Sequence, residues 1–172
     1  MADPRPLTGE PLPLDLLNTA WVEDGGPRDL LAEDGGVATW LASRGLAAPA
    51  DGRARAALVE AREALRALLT APVDLAARER VNAVLARGAE RVRLGPDGPV
   101  REVDVAETWR VPWQAATELV ALRERHGDRI RRCANPECVL WFLDVSRPGT
   151  RRWCSMAACG NREKARRHAT AA

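Results

Sequence analysis

All four cysteines of the chain lie between Cys133 and Cys159, in two pairs that each enclose four residues and are separated by fifteen. This pattern constrains the C-terminal part more tightly than any other feature of the sequence. Four thiolates form the soft tetrahedral set that Zn²⁺ prefers, and paired cysteines on either side of a hairpin-length segment match structural zinc modules. Disulfides would need an oxidising compartment. The opening, MADPRPLTGEPLPLDLLNTAW, has prolines and acids where a secretory signal needs a basic flank and an apolar run. No stretch approaches the ~18 consecutive apolar residues of a membrane span. A cytoplasmic, reducing location is therefore expected. A redox dithiol uses two intervening residues rather than four, and a catalytic zinc keeps a coordination position open that four cysteines would close. The sequence thus predicts one structural Zn²⁺ held by Cys133, Cys138, Cys154 and Cys159. A module of about 40 residues with so few apolar side chains cannot pack without it.

The residues round the cysteines give the module a shape. Asn135-Pro136 is a turn former that can fold Cys133 and Cys138 onto one ion. VLWFLDV, SRPGT and RRW read as strand, turn and strand, and GNREKARRHA begins a Pro-free helical run just after Cys159. Amides at that helix start can hydrogen-bond to sulfur, where the helix dipole favours negative charge. A knuckle, a hairpin and a helix meeting at one metal make a treble-clef-like finger.

The stretch RRCANPECVLWFLDVSRPGTRRWCSMAACGNREKARRH resembles the CGNR zinc finger, whose name motif is Cys159-Gly160-Asn161-Arg162 here. LPLDLLNTAW resembles the opening of the ABATE domain that usually precedes that finger in stress-induced bacterial transcription regulators. The resemblance implies zinc binding, DNA binding and transcriptional regulation.

Upstream, the Pro-rich first eleven residues are expected to be loose, and Leu12–Thr19 to form a short buried strand or helix opening. Asp15 and Asn18, polar among apolar neighbours, should lie in or beside the core and need partners there. They are either structural or line a small-molecule pocket. Two Asp-Gly-Gly segments supply turns, and the second precedes a helix from Val37 to Arg44 with Gly45 just past its end. Asp51 caps a helix from Gly52 to Leu69 with an apolar stripe of Ala54, Ala57, Leu58, Ala61, Leu65, Leu68 and Leu69. Asp74 caps another, carrying Leu75, Val81, Val84 and Leu85 and stopping near Gly88. RVRLGPDGPVREVDV reads as a hairpin about Gly-Pro-Asp-Gly-Pro. Pro112 suits the first turn of a helix from Trp113 to His126, with Trp113, Ala116, Leu119 and Val120 facing the core. The expected fold is α+β: a mainly helical N-terminal domain with one hairpin over 12–127, then the finger over 128–172.

No catalytic constellation stands out. There is no phosphate-cradling Gly-rich loop, no Gly-x-Ser-x-Gly elbow and no His-Glu-x-x-His helix. His126 fits a favourable charge at a helix C-terminus, and a non-enzymatic role is expected.

Charge separates the two parts. From Asp128 onward ten basic side chains face four acidic ones, a balance of +6; the whole chain is +2, so residues 1–127 carry −4. An acidic body with a basic tail module is the asymmetry of a protein whose one end meets a polyanion. Arg151, Arg152, Asn161, Arg162, Lys164, Arg166 and Arg167 are the candidate nucleic-acid contacts, most of them for the phosphate backbone. Arg162 has a second assignment, an internal pair with Asp144 or Glu163. Asn161 is either a cap or a base reader. Trp141, Phe142 and Trp153 either stack on bases or, the favoured reading, form the small core of the finger.

Two functions from different classes follow. One is a zinc-dependent DNA-binding regulator whose body senses an effector or forms a homodimer. The other is an interaction module in which the finger is structural and meets a protein or RNA partner.

Overall fold

The computed structural model describes residues 3–170, and of residues 165 and 167–170 the backbone alone. It is α+β, with six α-helices and three separate two-stranded antiparallel sheets among those residues.

Leu12–Leu17 is a helix (α1) with Pro13 in its first turn, and all six of its residues are buried. It is apolar on every side but one, which marks a helix wrapped by the core. The exception is Asp15. Its carboxylate, fully buried, accepts from Arg5 Nη1 at 2.8 Å, Trp40 Nε1 at 2.9 Å and the Gly9 amide at 2.9 Å. Arg5 also holds Asp3, and its guanidinium is inaccessible. The N-terminal segment is therefore pinned rather than loose: a buried carboxylate needs a paired cation, and Arg5 is drawn in to supply it.

Ala20–Glu23 (β1) and Gly26–Asp29 (β2) form a tight hairpin. Asp24 and Gly25, both at positive φ, make the turn that matches strand twist. Gly36–Ser43 (α2) ends at Gly45, whose φ of +63° is the left-handed C′ conformation expected there. Gly52–Thr70 (α3) and Leu75–Leu85 (α4) start at Asp51 and Asp74, whose carboxylates accept from the Ala54 and Ala76 amides. The α3 stripe is buried as expected, except that Leu69 is half-buried. It packs against α1, α4 and the long helix Glu107–His126 (α5).

α5 begins well before Pro112, which lies inside it. Continuing the helix upstream buries Val111 and packs Trp109 on the core, and this outweighs the one hydrogen bond proline cannot donate. Ala116 and Leu119 face the core, Trp113 is half-buried with its Nε1 on the Leu85 carbonyl, and Val120 is 40% exposed, contrary to expectation. Gly88–Gly95 (β3) and Gly98–Val105 (β4) form the expected hairpin. Its base rests on α5, where Gly88 leaves room for Val105 and Trp113.

In the finger, Ile130–Arg132 (β5) pairs with Trp141–Leu143 (β6), and the Cys133–Cys138 knuckle sits in the connection between them. The expected return strand at Arg151–Trp153 is not formed. That segment runs as irregular chain, tied down by the Ala134 amide donating to the Arg152 carbonyl. Met156–Gly160 makes a wide helical turn that leads into Asn161–Thr170 (α6). Trp141 and Phe142 are core residues and Trp153, partly buried, packs against the same cluster, as favoured above.

Finger and body share one hydrophobic core, and β6 is sewn to the N-terminal segment. The inner hydrogen bonds of β6 go to β5, with flanking bonds Cys133–Leu140 and Asp144–Arg129 on the same side. Trp141 and Leu143 then direct their backbone groups outward, as antiparallel alternation requires. Asn18 meets Trp141 twice, Nδ2 donating to its carbonyl and Oδ1 accepting from its amide, each at 2.9 Å. Glu10 accepts from the Leu143 amide at 2.9 Å. Two side chains thus take the place of a third strand on an edge that would otherwise be buried and unpaired. Burial pushes the Glu10 carboxyl above its ordinary range, while the Leu143 amide and Arg151 pull against it.

Candidate metal centre and basic surface

The four cysteine sulfurs lie within 4.8 Å of one another, and all four residues are buried. Cys138 and Cys154 are 3.9 Å apart, Cys154 and Cys159 3.6 Å. These separations are far beyond a sulfur–sulfur bond. They fit four ligands round one Zn²⁺, whose bonds of about 2.3 Å place tetrahedral sulfurs about 3.8 Å apart.

Local chemistry supports this geometry. The Cys138 amide donates to the Asn135 carbonyl at 2.9 Å and the Glu137 amide to Asn135 Oδ1 at 3.1 Å, so the Asn-Pro turn closes the first knuckle. The buried Asn135 then turns its Nδ2 onto Cys159 Sγ at 3.4 Å, reaching across to the other pair. The Cys154 amide donates to Cys133 Sγ at 3.4 Å. Ser155 caps the turn that carries Cys159, its hydroxyl accepting from the Ala158 amide. Donors aimed at sulfur stabilise thiolates and orient them. Asn135 as a sulfur donor was not foreseen. The only signal for it was its place beside Pro136, which spoke for a turn alone.

Proton sharing among the bare thiols shows the same preference. The neighbouring Cys138 and Cys154 thiols, with the Cys154 amide, hold Cys133 far below its ordinary value. Cys138 and Cys154 are pushed up in turn, chiefly by hydrogen bonding to Cys133. One thiolate is stable without a cation and several together are not, so complete ionisation requires a metal.

The candidate nucleic-acid residues divide sharply. Arg151 is committed internally. It donates to the carbonyls of Trp153, Leu143 and Cys154, lies 4.2 Å from the Phe142 ring centroid and pairs with Glu10 at 3.6 Å. It clamps the metal loop to β6, three of its five N–H donors being taken by these carbonyls. Arg129 and Arg131 do similar work, donating to the Ser146 and Gly149 carbonyls. Asp144 does not pair with Arg162. Its carboxylate accepts from the Ser146 hydroxyl and the Ser146 and Arg151 amides, with Arg131 at 3.7 Å, and these hold it below the usual carboxylate range.

Arg152, Asn161, Arg162 and Lys164 are exposed. Arg166 is exposed too but pairs with Glu163 at 2.9 Å. The side chain of Arg167 lies outside the described residues. Arg147, exposed in the loop held by Arg129 and Arg131, belongs with the outward cations and was not singled out from the sequence.

A buried four-cysteine centre set between a knuckle and a helix start defines a zinc-finger protein that binds one zinc. The CGNR zinc finger model matches residues 129–171. The ABATE model, described as "Putative stress-induced transcription regulator", matches residues 10–124. The chain belongs to the ABATE family and carries a CGNR finger. No curated protein matches it. Among the described residues no helix is long and apolar enough to cross a membrane.

Proposed function

We propose that this protein is a cytoplasmic, non-enzymatic DNA-binding regulator in which the zinc-fixed finger meets the phosphate backbone. The observation that carries the reading is the outward set Arg147, Arg152, Arg162 and Lys164, on a +6 module beside a body of −4. None of the four has an ion-pair partner among the described residues. Zinc and the internal arginine clamps fix the backbone that carries these cations before any ligand arrives, so little loop ordering remains for binding. Phosphate contacts position a protein without reading sequence, and guanidinium groups suit them. Asn161 and Arg162, at the start of α6, are the residues to reach base edges. The family description supports a regulatory role in a stress response, and the acidic body is the part to sense an effector or to dimerise.

The experiment is a mobility shift of the full-length, zinc-loaded protein on duplex DNA across a salt series. Binding should weaken steeply with salt, and Arg152→Gln with Lys164→Gln should flatten the log–log slope by about one unit for each lost contact. No retention at low salt, with zinc confirmed, would sink the reading.

A second reading has one observation in its favour. Glu10 and Asn18 bind the finger's β6 edge and Arg151 is spent internally, so the finger braces the body. In that case it is an interaction module for a protein or RNA partner.

A further inference from the structure

Between the loop after β6 and the turn that carries Cys159, the finger surface opens into a groove of about 430 Å³. Ser146, Pro148, Thr150, Arg152, Trp153 and Met156 are among the residues that line it. Its volume is in the range of small-ligand sites, and its walls are unlike the surface round them. Trp153 is only partly buried and Met156 is 54% exposed, so part of an indole and a thioether reach the surface of the cationic module. A surface that met phosphates alone would have no use for apolar walls. The face of a nucleobase would, since base–aromatic stacking is tolerant of sequence and works beside backbone-binding cations.

We propose that this groove takes an unstacked base of single-stranded or locally opened DNA. Trp153 is the stacking platform, Met156 the opposing wall, and Arg152 the partner of the adjoining phosphate. The inference rests on the reading of the finger as a nucleic-acid binder and deepens it.

Three features build the site. First, the backbone under Trp153 is fixed on both sides: the Ala134 amide donates to the Arg152 carbonyl before it, and after it Arg151 donates to the Trp153 and Cys154 carbonyls, Cys154 being a zinc ligand. The platform is rigid before the base arrives. Second, Gly160 of the name motif lies beneath the wall. A Cβ there would come within 2.7 Å of Met156 Sδ and 3.4 Å of Trp153 Cδ1, so any side chain at 160 would unseat the methionine. Third, polar groups rim the groove. The exposed Arg152 guanidinium lies over the Trp153 indole, 5.2 Å from its centroid, so a base taking that face displaces it toward the adjoining phosphate, and Thr150 offers a hydroxyl with no hydrogen bond among the described residues. Ser146 gives its hydroxyl proton to Asp144 and keeps lone pairs for a base N–H.

The test uses full-length, zinc-loaded protein and three DNAs of equal length: an oligothymidine strand, the same strand with every base removed, and a duplex. The thymidine strand should bind about 5- to 150-fold more tightly than the abasic strand, the range for one stacked base. Trp153→Leu should erase that preference while changing duplex binding less than about twofold, the phosphate contacts being intact. Met156→Ser, at an exposed position, should reduce the preference in the same direction. It serves as the variant if Trp153→Leu fails to hold zinc. Equal binding of the thymidine and abasic strands overturns the groove and leaves the duplex reading standing. So does a base preference that survives in Trp153→Leu. Binding of none of the three at low salt overturns both, in favour of a protein partner.

Discussion

Two asparagines carry more of this structure than their number suggests. Asn18 supplies a donor and an acceptor to the Trp141 backbone across 123 residues of sequence, in a fully buried position. Asn18→Ala leaves a buried N–H and a buried C=O unpaired and should destabilise the protein by about 2–4 kcal/mol, as two modest penalties taken together. Asn18→Asp keeps the acceptor but turns a negative oxygen toward the Trp141 carbonyl, and should destabilise it at least as much. Urea unfolding of the three proteins checks this; an alanine variant of wild-type stability would show that water replaces the amide. That Asn18 is buried between partners agrees with its structural reading, and nothing in its surroundings favours a ligand. The second asparagine, Asn135, donates to Cys159 Sγ at 3.4 Å. Asn135→Asp would set a carboxylate against a thiolate. Zinc affinity, followed by competition with a chromophoric chelator, should fall about 10- to 100-fold, the usual effect of losing a partner behind a ligand.

Among the elements, those with local signals were legible. Asp51 and Asp74 mark their helix starts because an N-cap acts within three residues, and Gly45 marks an end because αL is intrinsic to glycine. Elements stabilised from a distance were not. The Pro-rich start is held by Arg5 on Asp15. α5 runs through Pro112 because, upstream of it, Val111 is buried and Trp109 packs on the core. β5 is three residues long and two-thirds arginine, with no strand pattern to find. The β3–β4 hairpin was visible from its turn, but not the way it docks. At its base a Cβ on Gly88 would lie 2.9 Å from Val105 Cβ and 3.0 Å from the Trp113 ring. Gly88→Ala should therefore cost about 1–3 kcal/mol as overpacking. Hydrogen exchange should place the loss in β3, β4 and the first half of α5; protection unchanged there would mean that the hairpin stands clear of the helix.

For the whole molecule, the metal centre was readable from spacing alone, whereas its place in the common core was not. The sequence divides naturally at residue 127, and on that division losing a cysteine should unfold the finger and spare the body. The structure joins the cysteines, β6 and α1 in one cluster. Zinc removal should then also release the β6 edge from Asn18 and Glu10 and loosen α1 and the N-terminal segment, while the α3–α5 pairing persists. Acid should have the same effect as a chelator, and the sign follows from the thiols. A cysteine thiol is ordinarily protonated at neutral pH and hydrogen bonding within the cluster pushes Cys138 and Cys154 further up, whereas zinc ligands are thiolates. Zinc uptake therefore releases protons from at least these two groups. The affinity should drop by about 100-fold or more for each pH unit lowered near neutrality, two protons giving two decades. Zinc competition titrations from pH 6 to 8, with tryptophan emission followed in parallel, measure both parts of the expectation. A slope below one decade per pH unit would mean that the sulfurs bind without losing those protons. A chelated protein whose α1 stays protected from exchange would restore the division into two independent parts.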